Sequence, residues 1–118
     1  MSMLSKKGGL IALKELFRVV LITCGSREEA EKISKILVEE KFAACVNILS
    51  NVKSYFWWEG KVDSAEEYLL IIKTKPEKME RLISRVKEIH SYTVPEIISL
   101  PILEGNKEYL TWIEESLK

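Results

Sequence analysis

Residues 42–59 read Phe-Ala-Ala-Cys-Val-Asn-Ile-Leu-Ser-Asn-Val-Lys-Ser-Tyr-Phe-Trp-Trp-Glu, and the period of this stretch decides the fold. From Ala43 the side chains alternate with period two, the signature of a strand: Ala44, Val46 and Ile48 fall on one face, Cys45, Asn47 and Leu49 on the other. Ser50-Asn51 reads as a bulge or bend. Beyond it Val52, Ser54, Phe56 and Trp58 share one face, and Lys53, Tyr55, Trp57 and Glu59 the other. Glu59-Gly60-Lys61 supplies a turn, and Ala65 to Thr74 returns, which makes the whole a long hairpin. An unbroken strand over residues 42–59 would reach roughly 60 Å, whereas a compact domain of this size has a radius of gyration near ~13 Å. The strand must bend back or reach beyond its own domain.

Upstream of the hairpin, Arg18 to Cys24 is a β-branched run without polar alternation until its end, as expected of a central strand covered on both faces. Gly25 breaks it. Ser26 with Glu29 three residues on has the form of a capping box that starts a helix, whose apolar stripe is Ala30, Ile33 and Leu37, flanked by Ile36 and Val38, ending near Lys41. Downstream, Pro76 suits the first turn of a second helix. Its stripe is Met79, Leu82, Ile83, Val86 and Ile89, and it reaches about His90. A fourth strand is predicted from Ile97 to Leu103. Gly105-Asn106 then breaks and caps a last short helix carrying Tyr109, Trp112, Ile113 and Leu117.

The order βαββαβ plus a terminal helix predicts an α+β, ferredoxin-like split βαβ domain over residues 18–118, with right-handed crossovers. Strand one is then central, between strands three and four, and strand two lies at the far edge. Residues 1–17 read as an extension, either weakly ordered or a short helix with Leu10, Leu13, Leu16 and Phe17 on one face.

Eighteen Lys plus Arg balance eighteen Asp plus Glu, so no overall field draws in nucleic acid or an anionic membrane. The charges are mostly Lys and Glu, and Gln is absent, a bias of proteins from organisms growing hot and an indication of a thermostable chain. Two cysteines, Cys24 and Cys45, fall on strands that are not neighbours, which argues against a bridge and for a reducing cytoplasm. The apolar runs are too short for a membrane-spanning helix.

Two helices cover one face of a sheet and leave the other face and an edge to be hidden by something else. Tyr55, Phe56, Trp57 and Trp58 near the hairpin tip are what a chain needs to cover a second copy of itself; the alternative is that they fold back on their own core. His90 is the single histidine, so a metal site must combine it with Cys24, Cys45, Glu67 or residues of another subunit, and thiolate with imidazole favours copper or zinc. Alternatively His90 caps its helix. The run His90-Ser91-Tyr92-Thr93-Val94-Pro95-Glu96 gathers an imidazole, a phenol and a carboxylate at a helix-to-strand junction, with Lys73 within reach from strand three. It suits a small anion, a metal, or a structural lock. No nucleophile triad, glycine-rich phosphate loop or diagnostic carboxylate pair is present.

Several motifs in one order carry a resemblance: Phe42-Ala43-Ala44-Cys45-Val46-Asn47-Ile48, Ser54-x-Phe56-x-Trp58-Glu59-Gly60-Lys61, Lys73-Thr74, His90-x-Tyr92-x-x-Pro95-Glu96-Ile97 and Tyr109-Leu110-x-Trp112. Over about residues 18–117 the chain resembles the CutA1 divalent-cation tolerance proteins. The resemblance implies a ferredoxin-like subunit in a tight homotrimer, similar in architecture to the PII signalling proteins. It also implies a non-enzymatic role in tolerance of copper and other divalent ions, with no required cofactor. It points to Lys73, His90, Tyr92, Glu96 and Glu67 as lining a pocket between subunits, with Cys24, Glu67 and His90 as candidate metal ligands. The chain departs from bacterial relatives implicated in copper binding at Thr23, where they carry a cysteine, and at Ile89-His90, where they carry two histidines. The competing reading from the same resemblance is a PII-like sensor or scaffold that binds a small anion or a partner at the subunit cleft.

Overall fold

The computed structural model describes residues 16–118, so the expectations for the extension lie outside the described residues except at Leu16 and Phe17. The chain runs β1 (Arg18–Cys24), α1 (Arg27–Glu39), β2 (Cys45–Trp58), β3 (Lys61–Thr74), a 3-10 turn (Pro76–Lys78), α2 (Met79–Ile89), β4 (Ile97–Pro101) and α3 (Lys107–Ser116). The strands form one antiparallel sheet in the order β2-β3-β1-β4. Strand one is central and strand two is at the edge, which is the predicted ferredoxin-like arrangement.

Alternation sorts the central strands into two faces. Val20, Ile22 and Cys24 pair in register with Ile72, Leu70 and Tyr68. Their face packs under α1 and α2, whose Ala30, Ile33, Leu37, Leu82 and Val86 complete a fully buried core. Helix α1 begins where the Ser26 hydroxyl oxygen accepts the Glu29 N–H at 3.1 Å. Past its end at Glu39 the chain turns at Lys41, whose φ of 62° lets the Phe42 and Ala43 N–H groups reach back to the Leu37 carbonyl. Buried Thr74 follows the apolar face of β3 and satisfies its hydroxyl on the Phe42 carbonyl at 2.6 Å.

The bulge falls where the sequence places it. Leu49 pairs with Leu69 and Val52 with Glu67, so β2 advances three residues while β3 advances two, and Asn51 takes a φ of 62°. The extra residue reverses the phase of β2. Before the bulge the odd positions Asn47 and Leu49 lie opposite Ile71 and Leu69; after it the even positions Val52, Ser54, Phe56 and Trp58 continue that same face. Glu59 and Gly60, both with positive φ, close a two-residue turn. The hairpin outruns the rest of the domain. The described chain measures 52 × 29 × 24 Å with a radius of gyration of 15.9 Å, against ~13 Å for a compact domain of this length.

One expectation is corrected. Strand β4 stops at Pro101, short of Leu103, with the Ile102 N–H making a last in-register bond to the Phe17 carbonyl at 3.2 Å. Helix α3 buries Leu110 and Ile113, with Leu117 just after it, while Tyr109 and Trp112 stay exposed and stack on each other with ring centroids 5.4 Å apart. Those buried residues close over Phe17, Ala44 and Ile102 at the end of the sheet where β1 begins, and Lys75 pairs with Glu114 there.

Candidate functional site

The opposite end of the sheet, where β1 stops and the hairpin departs, collects the polar chemistry. Cys24 closes β1 with its side chain on the helix-covered face. Glu29 lies in the first turn of α1, and His90 is the residue at which α2 ends, its N–H still bonded to the Val86 carbonyl at 2.8 Å. The thiol, a Glu29 carboxylate oxygen and an imidazole nitrogen all lie within 4.8 Å of one another. Cys24 is fully buried, the His90 side chain is 0% exposed and that of Glu29 12%.

Each donor already has an occupation. His90 Nε2 donates to the Thr23 carbonyl at 2.8 Å, and its Nδ1 accepts the Tyr92 N–H at 3.0 Å, so the hydrogen bonds fix the neutral tautomer with its proton on Nε2. Glu29 Oε2 accepts the Ser91 N–H at 2.6 Å and stands 3.8 Å from Nδ1, while Oε1 accepts the Gly25 N–H at 3.4 Å. Burial pushes the Glu29 carboxyl up, but the hydrogen bonds from Ser91 and the Gly25 N–H outweigh it and hold the group below its ordinary value of 4.5. Burial, with the carboxylates of Glu29 and Glu67 adding to it, pushes the Cys24 thiol up to about 12, so at neutral pH the sulfur carries its proton.

Tyr92 covers this cluster. Its hydroxyl donates to Glu67 Oε2 at 2.8 Å, and its ring is tilted against His90 at 4.8 Å. It also lies so near Gly25 that a Cβ there would stand 3.1 Å from the hydroxyl oxygen. Burial, the bond to Glu67 and its charge push the phenol up to about 12. Outside the cluster a cavity of about 390 Å³ opens between the start of α1 and the end of α2, lined by Glu28, Glu29, Lys32, Glu88, Ile89, His90 and Ser91.

Of the residues singled out from sequence, Cys24 and His90 come together, and Tyr92 joins them. Glu67 is buried and holds the Tyr92 hydroxyl; the carboxylate that stands with the thiol and the imidazole is Glu29. Sequence reasoning spent Glu29 on a capping box, and only its contact with Ser91, far along the chain, reveals the other use. Lys73 pairs with Val19 and Cys45 and bonds Asn47. It is thus five residues along β1 from Cys24, roughly 16 Å, and one chain does not bring it to His90. Glu96 is exposed just before β4. Tyr55, Phe56, Trp57 and Trp58 are 73%, 38%, 76% and 61% exposed along the hairpin.

Residues 18–116 match the family described as CutA1 divalent ion tolerance protein. The divalent-cation tolerance protein CutA of Archaeoglobus fulgidus is 50% identical over 99 residues, covering 84% of this chain and 96% of the relative. That of Thermus thermophilus is 52% identical over 98 residues, covering 83% and 95%. The solved structure of the Archaeoglobus fulgidus protein, described there as periplasmic, superposes with a TM-score of 0.85 at 48% identity, covering 87% of this chain and all of that one. Among the described residues no helix is long and apolar enough to cross a membrane.

Proposed function

We propose, since the chain belongs to the CutA1 divalent ion tolerance protein family, that it is a non-enzymatic, cytoplasmic homotrimer that serves tolerance of divalent metal ions. It does so by binding a copper- or zinc-class ion at Cys24, Glu29 and His90. The observation that carries this reading is the convergence of one thiol, one carboxylate and one imidazole within 4.8 Å at the end of β1. That donor set suits a borderline-soft ion, for which the thiol must lose its proton and the imidazole must offer its free lone pair. Both conditions carry a cost here, because the thiol is held protonated and His90 Nδ1 is engaged, so binding strengthens as pH rises.

The trimer is supported by the side of the sheet that the helices leave uncovered and by the aromatic hairpin that runs beyond it. A pocket with Lys73, His90, Tyr92 and Glu96 belongs to the same proposal only if Lys73 comes from a neighbouring copy. Both cysteines are free thiols, in keeping with a reducing compartment.

Calorimetric titration with Cu²⁺ and Zn²⁺ should give one ion per chain, with binding lost in His90→Ala and strongly weakened in Cys24→Ser. Wild-type protein that binds neither ion overturns the metal reading. Binding retained by both variants overturns the assignment of the ligands.

A further inference from the structure

Two neighbouring peptide N–H groups face the donors that a cation would need: one takes the only available lone pair of His90 Nδ1, the other takes one of the several acceptor sites of the Glu29 carboxylate. The Ser91 N–H lies on Glu29 Oε2 at 2.6 Å and the Tyr92 N–H on His90 Nδ1 at 3.0 Å, and those two acceptor atoms are themselves 3.8 Å apart. The segment that follows α2 therefore presents a pair of positive dipoles to the carboxylate and the imidazole. Its outer side faces solvent: Ser91 is exposed and lines the cavity between α1 and α2, together with Glu28 and Glu88. Its inner end is pinned by the Tyr92 hydroxyl on buried Glu67 at 2.8 Å and by the close fit of that ring over Gly25.

We propose that the strap Ser91-Tyr92 is a gate: it holds the ligand lone pairs of Glu29 and His90 in the resting protein and must swing outward, into the cavity between α1 and α2, before a divalent ion reaches them. Tyr92 is then the residue that sets the gate. It holds no ion; it acts by keeping the strap shut through Glu67. This rests on the reading of Cys24, Glu29 and His90 as ligands, and deepens it by naming how access to them is regulated. Only the open form binds, so the measured dissociation constant is the intrinsic one divided by the open fraction.

Tyr92→Phe removes the hydroxyl and keeps the ring. Loss of a bond to a charged acceptor raises the open fraction roughly tenfold. Stopped-flow mixing with Zn²⁺ should therefore show about tenfold faster association, an unchanged dissociation rate and a correspondingly lower dissociation constant. Gly25→Ala, which crowds the hydroxyl from the other side, should move the same quantities in the same direction. A merely structural role predicts the opposite, faster dissociation and weaker binding, and that result, or unchanged association in both variants, overturns the gate.

A metal-free arm separates this proposal from the one beneath it. In hydrogen exchange of wild-type protein the Ser91 and Tyr92 amides should exchange through a local opening, faster than the His90 amide that closes α2, and Tyr92→Phe should speed those two alone. Exchange of all three only with global unfolding overturns the gate whatever the titration shows. Local opening in a protein that binds no Zn²⁺ overturns the metal reading and the gate with it, whereas Zn²⁺ binding without local opening overturns the gate alone.

Discussion

On the helix side of the sheet Val20, Ile22, Leu70 and Ile72 are fully buried, whereas on the other side Leu49, Ile98 and Leu100 keep 41%, 48% and 47% of their surface. The residue types are alike, and alternation along the same strands sends them to opposite faces. What differs is what lies above them. Two helices with continuous apolar stripes close the first face within one chain, while α3 packs at one end of the sheet and leaves the second open. The bulge at Ser50-Asn51 then extends that open face into the hairpin, since it is the phase reversal that places Phe56 and Trp58 in line with Leu69 and Ile71. One face is thus finished by folding and the other by the proposed assembly.

The largest effect that tests this contrast comes from one truncation on each face. Leu70→Ala empties a fully buried site under the helices and should cost about 2–5 kcal/mol of chain stability, read by denaturant unfolding. Trp58→Ala should leave the fold of the single chain intact and weaken the proposed trimer, seen in sedimentation as a shift toward smaller species on dilution and in a melting temperature that depends more on concentration. A Trp58→Ala protein that remains trimeric and equally stable at low concentration breaks the comparison.

The closed face was legible in the sequence because its determinants are local. The unbroken run Arg18 to Cys24, the Ser26 cap, the helical stripes, the Ser50-Asn51 bulge and the Glu59-Gly60 turn each depend on residues within a few positions of one another. The candidate site was half legible. Cys24 and His90 were found because thiol and imidazole are rare here, and Tyr92 because it sits beside His90. Glu29 was not, since the capping pattern explained it, and its partner Ser91 is brought up only by the docking of α2 on α1. The distance of Lys73 from His90 within one chain was hidden for a related reason: its place along β3 is set by register with Val19 and Cys45, which only the sheet fixes. In α3 contact with Phe17 and Ile102 carries Leu110 inward, a residue the sequence reading did not single out, and leaves Tyr109 and Trp112 outside.

A smaller effect sharpens the boundary between the two faces at the Glu29 junction. Its carboxyl is held below 4.5 in the folded chain, so its contribution is present above the unfolded value and lost as pH falls through the folded one. Glu29→Gln, which keeps an acceptor but removes the charge, should lower stability by about 1–2 kcal/mol at pH 7. The difference from wild type should shrink as pH falls below 4.5, in urea unfolding run across pH 3 to 7. A difference that stays constant over that range means that Glu29 acts through packing and not through its charge-assisted bonds to Ser91 and Gly25.

The smallest expected effect concerns the one flaw in the closed side. Ser34 lies buried on α1, and its Oγ is the buried side-chain polar atom without a hydrogen-bond partner among the described residues. A hydroxyl kept from water without a partner is unfavourable, and Ser is also a weaker helix former than Ala. Ser34→Ala removes both penalties and little volume, so it should stabilise the chain by about 0.5 kcal/mol in denaturant unfolding, with no change in oligomeric state. A loss of stability larger than that means the hydroxyl is held by a group from outside the chain, and the helix-covered face would then not be closed by folding alone.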